Sequence, residues 1–383
     1  MKEIRRCTRC VMSDAVDDTI TFDEQGVCNY CTDALAIMPA MYFPNDEGKR
    51  RLEALVEELK KKGEGRDFDC VMGLSGGLDS SYLAYLGASQ WGLRIAAVHI
   101  DDGYDTEISS ENIRKLCEKT GIELVRVSPD DEQFNALTLA YMRAGVPNLA
   151  IPQDNLLFAA VYDFAKEQQL SDFLSGSNFA LESILQKGNS WPAYDVVNIK
   201  DIHKRFGEKP IDKLKFISDM QRVSDRWVHK LNTPKPLNYV DYNRDRAFAE
   251  LEEYCGFQYY GRKHLENYLT AFLQLCWLPE KFGDDKRSSH LSSMIVSGQM
   301  TRDEAMEELA QPLYEEAYMD RVKQMICDKM DISRDELESL IHSEGHQHYE
   351  YKTDKLTGKV IKAGVKAVHV ARVLKGKREP DRA

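Results

Sequence analysis

The chain has 383 residues, 43% of them hydrophobic, and carries 51 Lys and Arg against 63 Asp and Glu, a formal net charge of −12. At about 150 residues per domain, this length suggests two or three units with a sizeable core. The acidic balance argues against a general nucleic-acid binder, which needs a basic face to neutralise phosphates. The sequence shows no apolar stretch of about 18 residues and no hydrophobic secretory segment, so we expect a cytoplasmic protein without a membrane span.

Four of the nine cysteines fall in the first 31 residues, as two CxxC pairs separated by seventeen residues. In a reducing compartment such pairs indicate a metal site rather than disulfides. Cys7, Cys10, Cys28 and Cys31 match a four-thiolate zinc site, which is structural because no coordination position stays open. An iron–sulfur cluster and reactive thiols are the alternatives. We therefore predict a zinc-binding module over 1–45 and a linker helix over 46–65.

Short apolar runs alternate with helical segments in the next part of the chain. The runs occupy 68–74, 94–100, 122–127 and 172–178. This alternation predicts an α/β domain over 66–200, with a parallel sheet covered by helices on both faces.

From about residue 200 the periodicity is mostly helical, which predicts a helical substrate-binding region over 201–350. The expected helices lie near 242–255, 263–277, 302–316 and 334–342. A basic tail over 351–383 follows, with ten Lys and Arg against three acids. A solvated tail is the default interpretation; guiding an anionic substrate or docking an acidic partner is the alternative.

A glycine loop joins the first predicted strand to the following helix: Ser75, Gly76, Gly77, Leu78, Asp79, Ser80 and Ser81. Glycines let the backbone approach an anion closely, and the N–H groups and dipole of the first helical turn favour a phosphate there. A carboxylate in such a cradle would repel phosphate, so Asp79 fits a ligand for the Mg²⁺ that accompanies ATP. A plain turn capped by serines is the alternative.

The string SGGLDSS between strand and helix resembles the pyrophosphate loop of the N-type ATP pyrophosphatases, the PP-loop family. The resemblance implies an adenine nucleotide alpha-hydrolase-like fold that splits ATP to AMP and pyrophosphate while adenylating a substrate. It also implies nucleotide contacts at two further strand ends. These candidates are His99, Ile100, Asp101, Gly176, Asn178 and Glu182. Alone, His99 reads as readily as a core histidine, and Glu182 as a surface acid.

Several longer segments look like those of the N-acetyl sugar amidotransferases, surface-polysaccharide biosynthesis enzymes of the WbpG type. They are CTRCVMSD, GVCNYC, SGGLDSS, KPLNYVDYNR (235–244), Lys263-His264 and KFGDDKRSSHLSSMIVSGQMTRDEA (281–305). The resemblance implies an AMP-forming carbon–nitrogen ligase of lipopolysaccharide or O-antigen biosynthesis. Such an enzyme converts the N-acetyl group of a nucleotide-linked sugar to an acetamidino group.

No cysteine sits in a glycine-rich nucleophile turn, so the sequence predicts that ammonia comes from outside the chain. The resemblance implies a separate HisH-like glutaminase, often with a HisF-like subunit.

The expected catalytic residues are Asp79, Ser75, Lys286 and Arg287, the last two neutralising phosphate charge. Lys281, Lys286, Arg287, Lys263 and His264 are candidates for substrate contact. A solvated loop between helices is the alternative for the segment around Lys286. Two other functions stay open: a PP-loop tRNA-thiolating enzyme, and a non-catalytic zinc-bearing interaction subunit.

Overall fold

A computed structural model describes residues 4–261 and 265–354, and within them the chain forms a four-stranded parallel sheet of order β3-β2-β1-β4. The strands are β1 Cys70–Gly73, β2 Ile95–Ile100, β3 Glu123–Val127 and β4 Phe173–Leu174. In the central strand, Val71 pairs with Ala96 on one side and Phe173 on the other. The predicted parallel sheet is confirmed.

Alternate residues of the central strands enter two different cores, as the two-residue period of a strand requires. The covering helices are α3 Leu78–Tyr85, α4 Glu107–Thr120, α6 Ile151–Glu167 and α10 Arg244–Cys255. Met72 and Ala97 pack with α3, α4 and α10 on one face. Val71 and Val98 pack against α6 on the other face. The sheet is therefore buried on both sides, which explains why its strands read as continuous apolar runs.

A third core gathers helices around the buried Trp277. Its helices are α5 Asp131–Arg143, α8 Val196–Phe206, α11 Tyr268–Phe272, α12 Leu278–Phe282, α15 Glu316–Met330 and α16 Arg334–His342. A π-helical turn, Leu273–Trp277, joins α11 to α12. Because α5 contributes to this core, the packing crosses the domain boundary expected near residue 200.

The helix expected over 302–316 is shorter than predicted. Helix α14 covers Arg302–Ala310, and Gln311 is extended with φ −71° and ψ 150°. The next residue is Pro312, which disfavours helical geometry in the residue before it. The chain then starts the separate helix α15 at Glu316, which the sequence analysis did not anticipate.

The N-terminal cysteine segment leads into α1 Asn29–Met41 and α2 Asp46–Lys62. Its buried side chains pack on α7 Phe179–Glu182 and on α13 Arg287–Val296. The remaining helix, α9, covers Asp219–Val228. Among the described residues, none of the helices is both long and apolar enough to cross a membrane.

Candidate active site

The turn after β1 accepts only glycine at its tightest point. Gly76 has φ +76°, and a Cβ there would lie 2.8 Å from the carbonyl oxygen of Ser109 and 2.9 Å from its Cβ. A Cβ on Gly77 would lie 2.5 Å from Glu266 Oε1. The missing side chains therefore let the turn sit between α4 and the C-terminal region.

The backbone N–H groups of this turn are directed at hydroxyl oxygens. Ser75 N–H donates to Ser80 Oγ at 3.3 Å, and Gly77 N–H donates to Ser75 Oγ at 3.2 Å. Leu78 N–H, at the start of α3, donates to the hydroxyl of Tyr260 at 2.8 Å. A phosphate oxygen is an acceptor of the same kind, so the turn carries the donors that an anion cradle requires.

A second loop, after β4, touches the glycine turn directly. A Cβ on Gly176 would lie 3.2 Å from Ser80 N. Asn178 caps α7 by accepting from Leu181 N–H, and its amide donates to Asp79 Oδ1 at 3.2 Å. Asp79 also accepts from the buried Tyr242 hydroxyl. The Asp79 carboxylate is thereby held in place from two sides.

His99, at the end of β2, is buried and makes two contacts with acceptors. Its Nδ1 lies 2.8 Å from the carbonyl oxygen of Leu74, and its Nε2 lies 2.8 Å from Asp105 Oδ2. Because a carbonyl oxygen only accepts, Nδ1 donates its proton to Leu74, and Nε2 lies within hydrogen-bond distance of the Asp105 carboxyl group. Burial lowers the pKa of His99, but the hydrogen bond and charge of Asp105 outweigh it and leave the pKa raised.

Beside this pair, Asp102 is a second buried carboxyl group. It accepts from Tyr104 N–H at 3.0 Å and from the Asn267 amide at 3.2 Å. Burial raises the pKa of Asp102 to about 6. Asn267 belongs to the C-terminal region, so this carboxyl group ties the end of β2 to that region.

The carboxyl ends of β1, β2 and β4 open into one cavity of about 550 Å³. It lies beside β1, where the strand order changes direction: β2 and β3 continue the sheet on one side, and β4 lies on the other. Ligands of open α/β sheets usually bind at such a point. Ten of the expected site residues line it: Ser75, Gly77, Leu78, Asp79, Ser80, His99, Ile100, Gly176, Glu182 and Lys286.

The cavity lining carries more acidic than basic side chains. The acids are Asp79, Asp105, Asp154, Glu182 and Glu266, and the bases other than histidine are Arg244 and Lys286. A polyphosphate in such a cavity needs accompanying divalent cations, and carboxylate oxygens are the ligands that Mg²⁺ takes.

Lys286 reaches the cavity from the C-terminal region because a buried acid holds it. Its Nζ lies 3.0 Å from Asp284 Oδ2, and the Asp284 side chain is completely buried. Asp284 also accepts from the side-chain amides of Gln186 at 2.6 Å and Asn189 at 3.1 Å. The segment around Lys286 is therefore anchored in the protein and is not a solvated loop.

Other expected site residues lie away from this cavity. Gly76 and the buried Ser81 belong to the glycine loop but do not line the cavity. Asp101 pairs with Arg126 at 3.8 Å. The Lys281 ammonium donates to the Ser343 carbonyl. Lys263 and His264 lie outside the described residues, as does the basic tail from residue 355.

Arg287 does not line this cavity; it lines an adjoining compartment, where neighbouring groups hold its guanidinium. Its guanidinium pairs with Asp285 at 2.8 Å. It also donates to the carbonyl oxygens of Glu308 at 3.1 Å and Gln311 at 2.9 Å. These are carbonyls at the end of α14, so Arg287 ties α13 to the C-terminus of that helix.

Several residues that line the cavity were not predicted from the sequence as site residues: Asp105, Asn148, Gln153, Arg244, Tyr259, Tyr260, Glu266 and His290. Arg244 ends the KPLNYVDYNR segment, so its charge within that motif was the available signal. The two tyrosines and Glu266 flank Lys263-His264, yet nothing in their spacing indicated which strand end they approach.

The four N-terminal cysteines form one buried metal-binding site. Their sulfur atoms all lie within 4.8 Å of one another, and Cys10 Sγ is 3.7 Å from Cys28 Sγ. Sulfurs on a tetrahedral zinc with bonds of about 2.3 Å lie about 3.8 Å apart. A single tetrahedral ion therefore fits the four thiols, with every coordination position filled.

This metal module is hydrogen-bonded to α13, which lines the cavity, and to α14. Val11 N–H donates to Ser292 Oγ on α13 at 3.2 Å. The Arg302 guanidinium donates to the carbonyl oxygens of Cys7 and Cys10, both at 3.2 Å. Because α13 also presents His290 to the cavity, the metal module supports that wall.

Comparison with known proteins agrees with this two-part organisation. Residues 49–156, which include β1 to β3 and the glycine turn, match the family model for NAD synthase and form an ATP-binding domain of the PP-loop type. Residues 266–366 match the model for the LPS biosynthesis protein WbpG-like, C-terminal domain. The chain thus combines an NAD synthase-like PP-loop domain with a WbpG-like C-terminal domain, and the predicted resemblance is confirmed.

Individual relatives are distant. An uncharacterized protein of Methanocaldococcus jannaschii is 26% identical over 126 residues, 33% of this chain and 43% of that protein. A subunit of the glutamine-hydrolyzing GMP synthase of Methanococcus maripaludis is 25% identical over 192 residues, 48% of this chain and 59% of that protein. The chain spans about half the length of the curated relatives it matches.

Solved structures to which the chain is similar include the NMN synthetase of Francisella tularensis, with 16% identity and a TM-score of 0.29 over 53% of this chain and 95% of that chain. The U34-tRNA thiolase NcsA of Methanococcus maripaludis, solved with its 4Fe–4S cluster, has 16% identity and a TM-score of 0.33 over 70% of this chain and 82% of that chain.

Replacing Gly76 by alanine should destabilise the protein and weaken ATP binding, because the new Cβ adds a clash with Ser109 to the cost of a positive φ. Gly65→Ala is the matched control: it has φ +74° with no atom within 4 Å of the new Cβ. Urea denaturation should show Gly76→Ala to be less stable than Gly65→Ala by about 1–3 kcal/mol. If Gly76→Ala and Gly65→Ala lost the same stability and the same ATP affinity, the steric argument would be contradicted.

His99→Gln should cost stability in a pH-dependent way, because the raised pKa of His99 favours its charged form in the folded state. That contribution is fully present below about pH 6.5, the unfolded pKa, and is lost as pH rises through the folded pKa. The stability difference from wild type, about 1–3 kcal/mol near pH 6, should shrink by about pH 9. The same substitution at the exposed His342 controls for losing an imidazole.

Cys28→Ser should lower both stability and bound metal, because a tetrahedral site cannot keep full affinity with three thiolates. The effect on chemistry in the folded fraction should be smaller. Elemental analysis of the purified variant measures the metal, with the half-buried Cys255→Ser as control. A Cys28→Ser protein that retains one tightly bound ion per chain would remove Cys28 from the ligand set.

Proposed function

We propose that this protein is an ATP-dependent amidotransferase of lipopolysaccharide, O-antigen or related surface-glycan biosynthesis. It adenylates the N-acetyl amide oxygen of a nucleotide-linked sugar and displaces AMP with ammonia, forming an acetamidino group. The observation that carries the proposal is that the glycine turn with Asp79, from the PP-loop domain, shares one cavity with Lys286, from the WbpG-like domain.

The chemistry explains why ATP is cleaved between its α and β phosphorus atoms. The amide oxygen attacks the α-phosphorus and pyrophosphate leaves, giving an O-adenylated imidate. Ammonia then adds to the imidate carbon, and the C–O bond breaks with loss of AMP. The amide oxygen departs on AMP; of the four N–H protons of the amide and ammonia, three stay on the amidinium product and one is released to solvent.

The residues of the cavity would act mainly through position and charge. The N–H groups of Ser75, Gly77 and Leu78 would hold the departing pyrophosphate in the turn, with phosphate oxygens replacing the hydroxyl oxygens that accept from them in the structure. Lys286, fixed by the buried Asp284, would offset developing negative charge. Asp79 would hold Mg²⁺, which supplies charge neutralisation to the polyphosphate when bound.

A separate subunit is proposed as the nitrogen source. None of the nine cysteines, all of which lie in the described part of the chain, lines the cavity, and five of them are isolated from the metal site. This arrangement supports ammonia delivered by a HisH-like glutaminase, with or without a HisF-like subunit. It also gives no support to sulfur transfer to tRNA, which would want a persulfide-carrying thiol near the nucleotide.

We propose that the N-terminal metal is a structural zinc. The four-thiol donor set and sulfur spacing fit that ion, and the saturated coordination leaves no position for a substrate. A cluster of several irons would hold its cysteine sulfurs farther apart than a single ion does. Elemental analysis of protein purified anaerobically distinguishes zinc from iron.

Asp79→Ala should abolish AMP formation, by about a hundredfold or more, while the protein stays folded. Asp79→Asn is the sharper variant, because an amide oxygen can still accept from Tyr242 while the charge is removed. Tyr242→Phe is the control, because it removes the hydrogen bond from Tyr242 to Asp79 and keeps the Asp79 carboxylate. Full activity in Asp79→Asn would rule out the metal-ligand role.

The proposed reaction is tested with protein, ATP·Mg²⁺, ammonium and a panel of UDP-N-acetyl sugars. We expect AMP, pyrophosphate and a sugar product whose mass reflects exchange of the amide oxygen for nitrogen. Release of ADP and orthophosphate would refute the proposal. ATP–pyrophosphate exchange that is stimulated by tRNA instead of a nucleotide sugar would favour the tRNA-thiolating alternative. A protein that binds ATP but shows no turnover would favour the non-catalytic alternative.

A further inference from the structure

A second compartment of about 290 Å³ adjoins the main cavity on its C-terminal side. Its own walls include the apolar side chains of Ile184, Leu185, Leu265, Leu275 and Leu313. The main cavity has a volume typical of small-molecule binding sites, and the second compartment has a volume close to the lower end of that range. Two adjoining compartments suit a reaction in which two substrates must be bound together.

The wall common to both compartments carries two cations, and a third, Arg287, lines the second compartment alone. Arg244 and Lys286 line both, together with Glu182 and His290. Lys286 is held by the buried Asp284, whereas the partner of Arg244 is Asp245, at 2.9 Å, whose side chain is largely exposed. An anion that spans the junction would therefore meet an anchored ammonium and a guanidinium.

We propose that the second compartment is the acceptor subsite, and that Arg244 together with Lys286 binds the diphosphate of a nucleotide-linked sugar at the junction. This inference rests on the proposed function. The acetamido group would enter the main cavity toward the nucleotide, and the uncharged nucleoside end would lie on the apolar wall. Guanidinium binds phosphate bidentately, so Arg244 would set the preference for a diphosphate-linked acceptor.

The geometry separates this subsite from ATP. Leu185 and Leu313 line the second compartment and are absent from the lining of the main cavity. Leu185 is 64% exposed, so a larger side chain at this position can narrow the compartment without disturbing the core. Substitution there should act on one substrate only.

The test measures equilibrium binding of UDP-N-acetylglucosamine to the full chain in the presence of a non-hydrolysable ATP analogue. Arg244→Gln and Leu185→Trp should each weaken this binding by about tenfold or more, while the affinity for the ATP analogue changes less than about twofold. Arg244→Gln should leave binding of free N-acetylglucosamine, which lacks phosphate, unchanged.

Matched controls lie on the surface of the same protein. Arg246→Gln removes another guanidinium from α10, the helix that carries Arg244. The Arg246 guanidinium lies 3.3 Å from the Asp241 carboxylate. Val197→Trp places the same bulk at another exposed apolar position, 42% exposed, on α8. Both should bind the UDP-sugar as wild type does.

Three results would overturn the inference. In the first, both variants bind the UDP-sugar normally, so the acceptor lies elsewhere while the proposed function stands. In the second, Leu185→Trp raises only the KM for ammonium, which would make the compartment a nitrogen route. In the third, wild type binds no UDP-sugar of the panel, and ATP–pyrophosphate exchange then reports separately whether the adenylating site is active.

Discussion

The site depends on two loops that meet with no side chain between them. Gly76 allows the turn after β1 to pass under Ser109, and Gly176 allows the loop after β4 to contact Ser80. These loops follow adjacent parallel strands, so their contact creates the crevice in which a nucleotide is expected. Asn178 then fixes Asp79, which places a carboxylate beside a cradle of N–H donors.

The metal module gains its importance from where it packs. It is far from the glycine turn in sequence, yet its apolar residues share a core with Phe179, Ile184 and Val296. Asp17 in the module accepts from Lys187 N–H at 3.1 Å, close to the residues that hold Asp284. A saturated metal site can therefore influence chemistry by fixing the wall of the cavity rather than by contacting a substrate.

Charge in the cavity is divided between its two sides. The PP-loop side contributes Asp79, Asp105 and Asp154, which need cations when a polyphosphate is bound. The C-terminal side contributes one acid, Glu266, and the cation Lys286, and it is faced by Arg244 from α10. Under the proposed function, ATP would arrive with its metal and the nucleotide-linked sugar would meet fixed side-chain cations, so an acidic protein could bind both anions.

The parts of the protein whose chemistry is local could be predicted from the amino-acid sequence. Glycines and serines between a strand and a helix indicated the phosphate cradle, paired cysteines indicated the metal site, and apolar runs indicated the buried parallel strands. The roles of the long basic side chains could not be derived in the same way. Lys286, Arg287 and Lys281 lie within seven residues of one another. Only Lys286 lines the main cavity, because Asp284 is buried beside it, whereas Arg287 binds the end of α14 and Lys281 binds Ser343.

Arg244 and the second compartment were likewise decided by tertiary structure, as was the packing of α5 into the C-terminal core. A flexible cation takes its role from partners that are distant along the chain. A glycine turn or a CxxC pair carries its geometry within a few residues, and that difference is the reason one could be derived from sequence and the other could not.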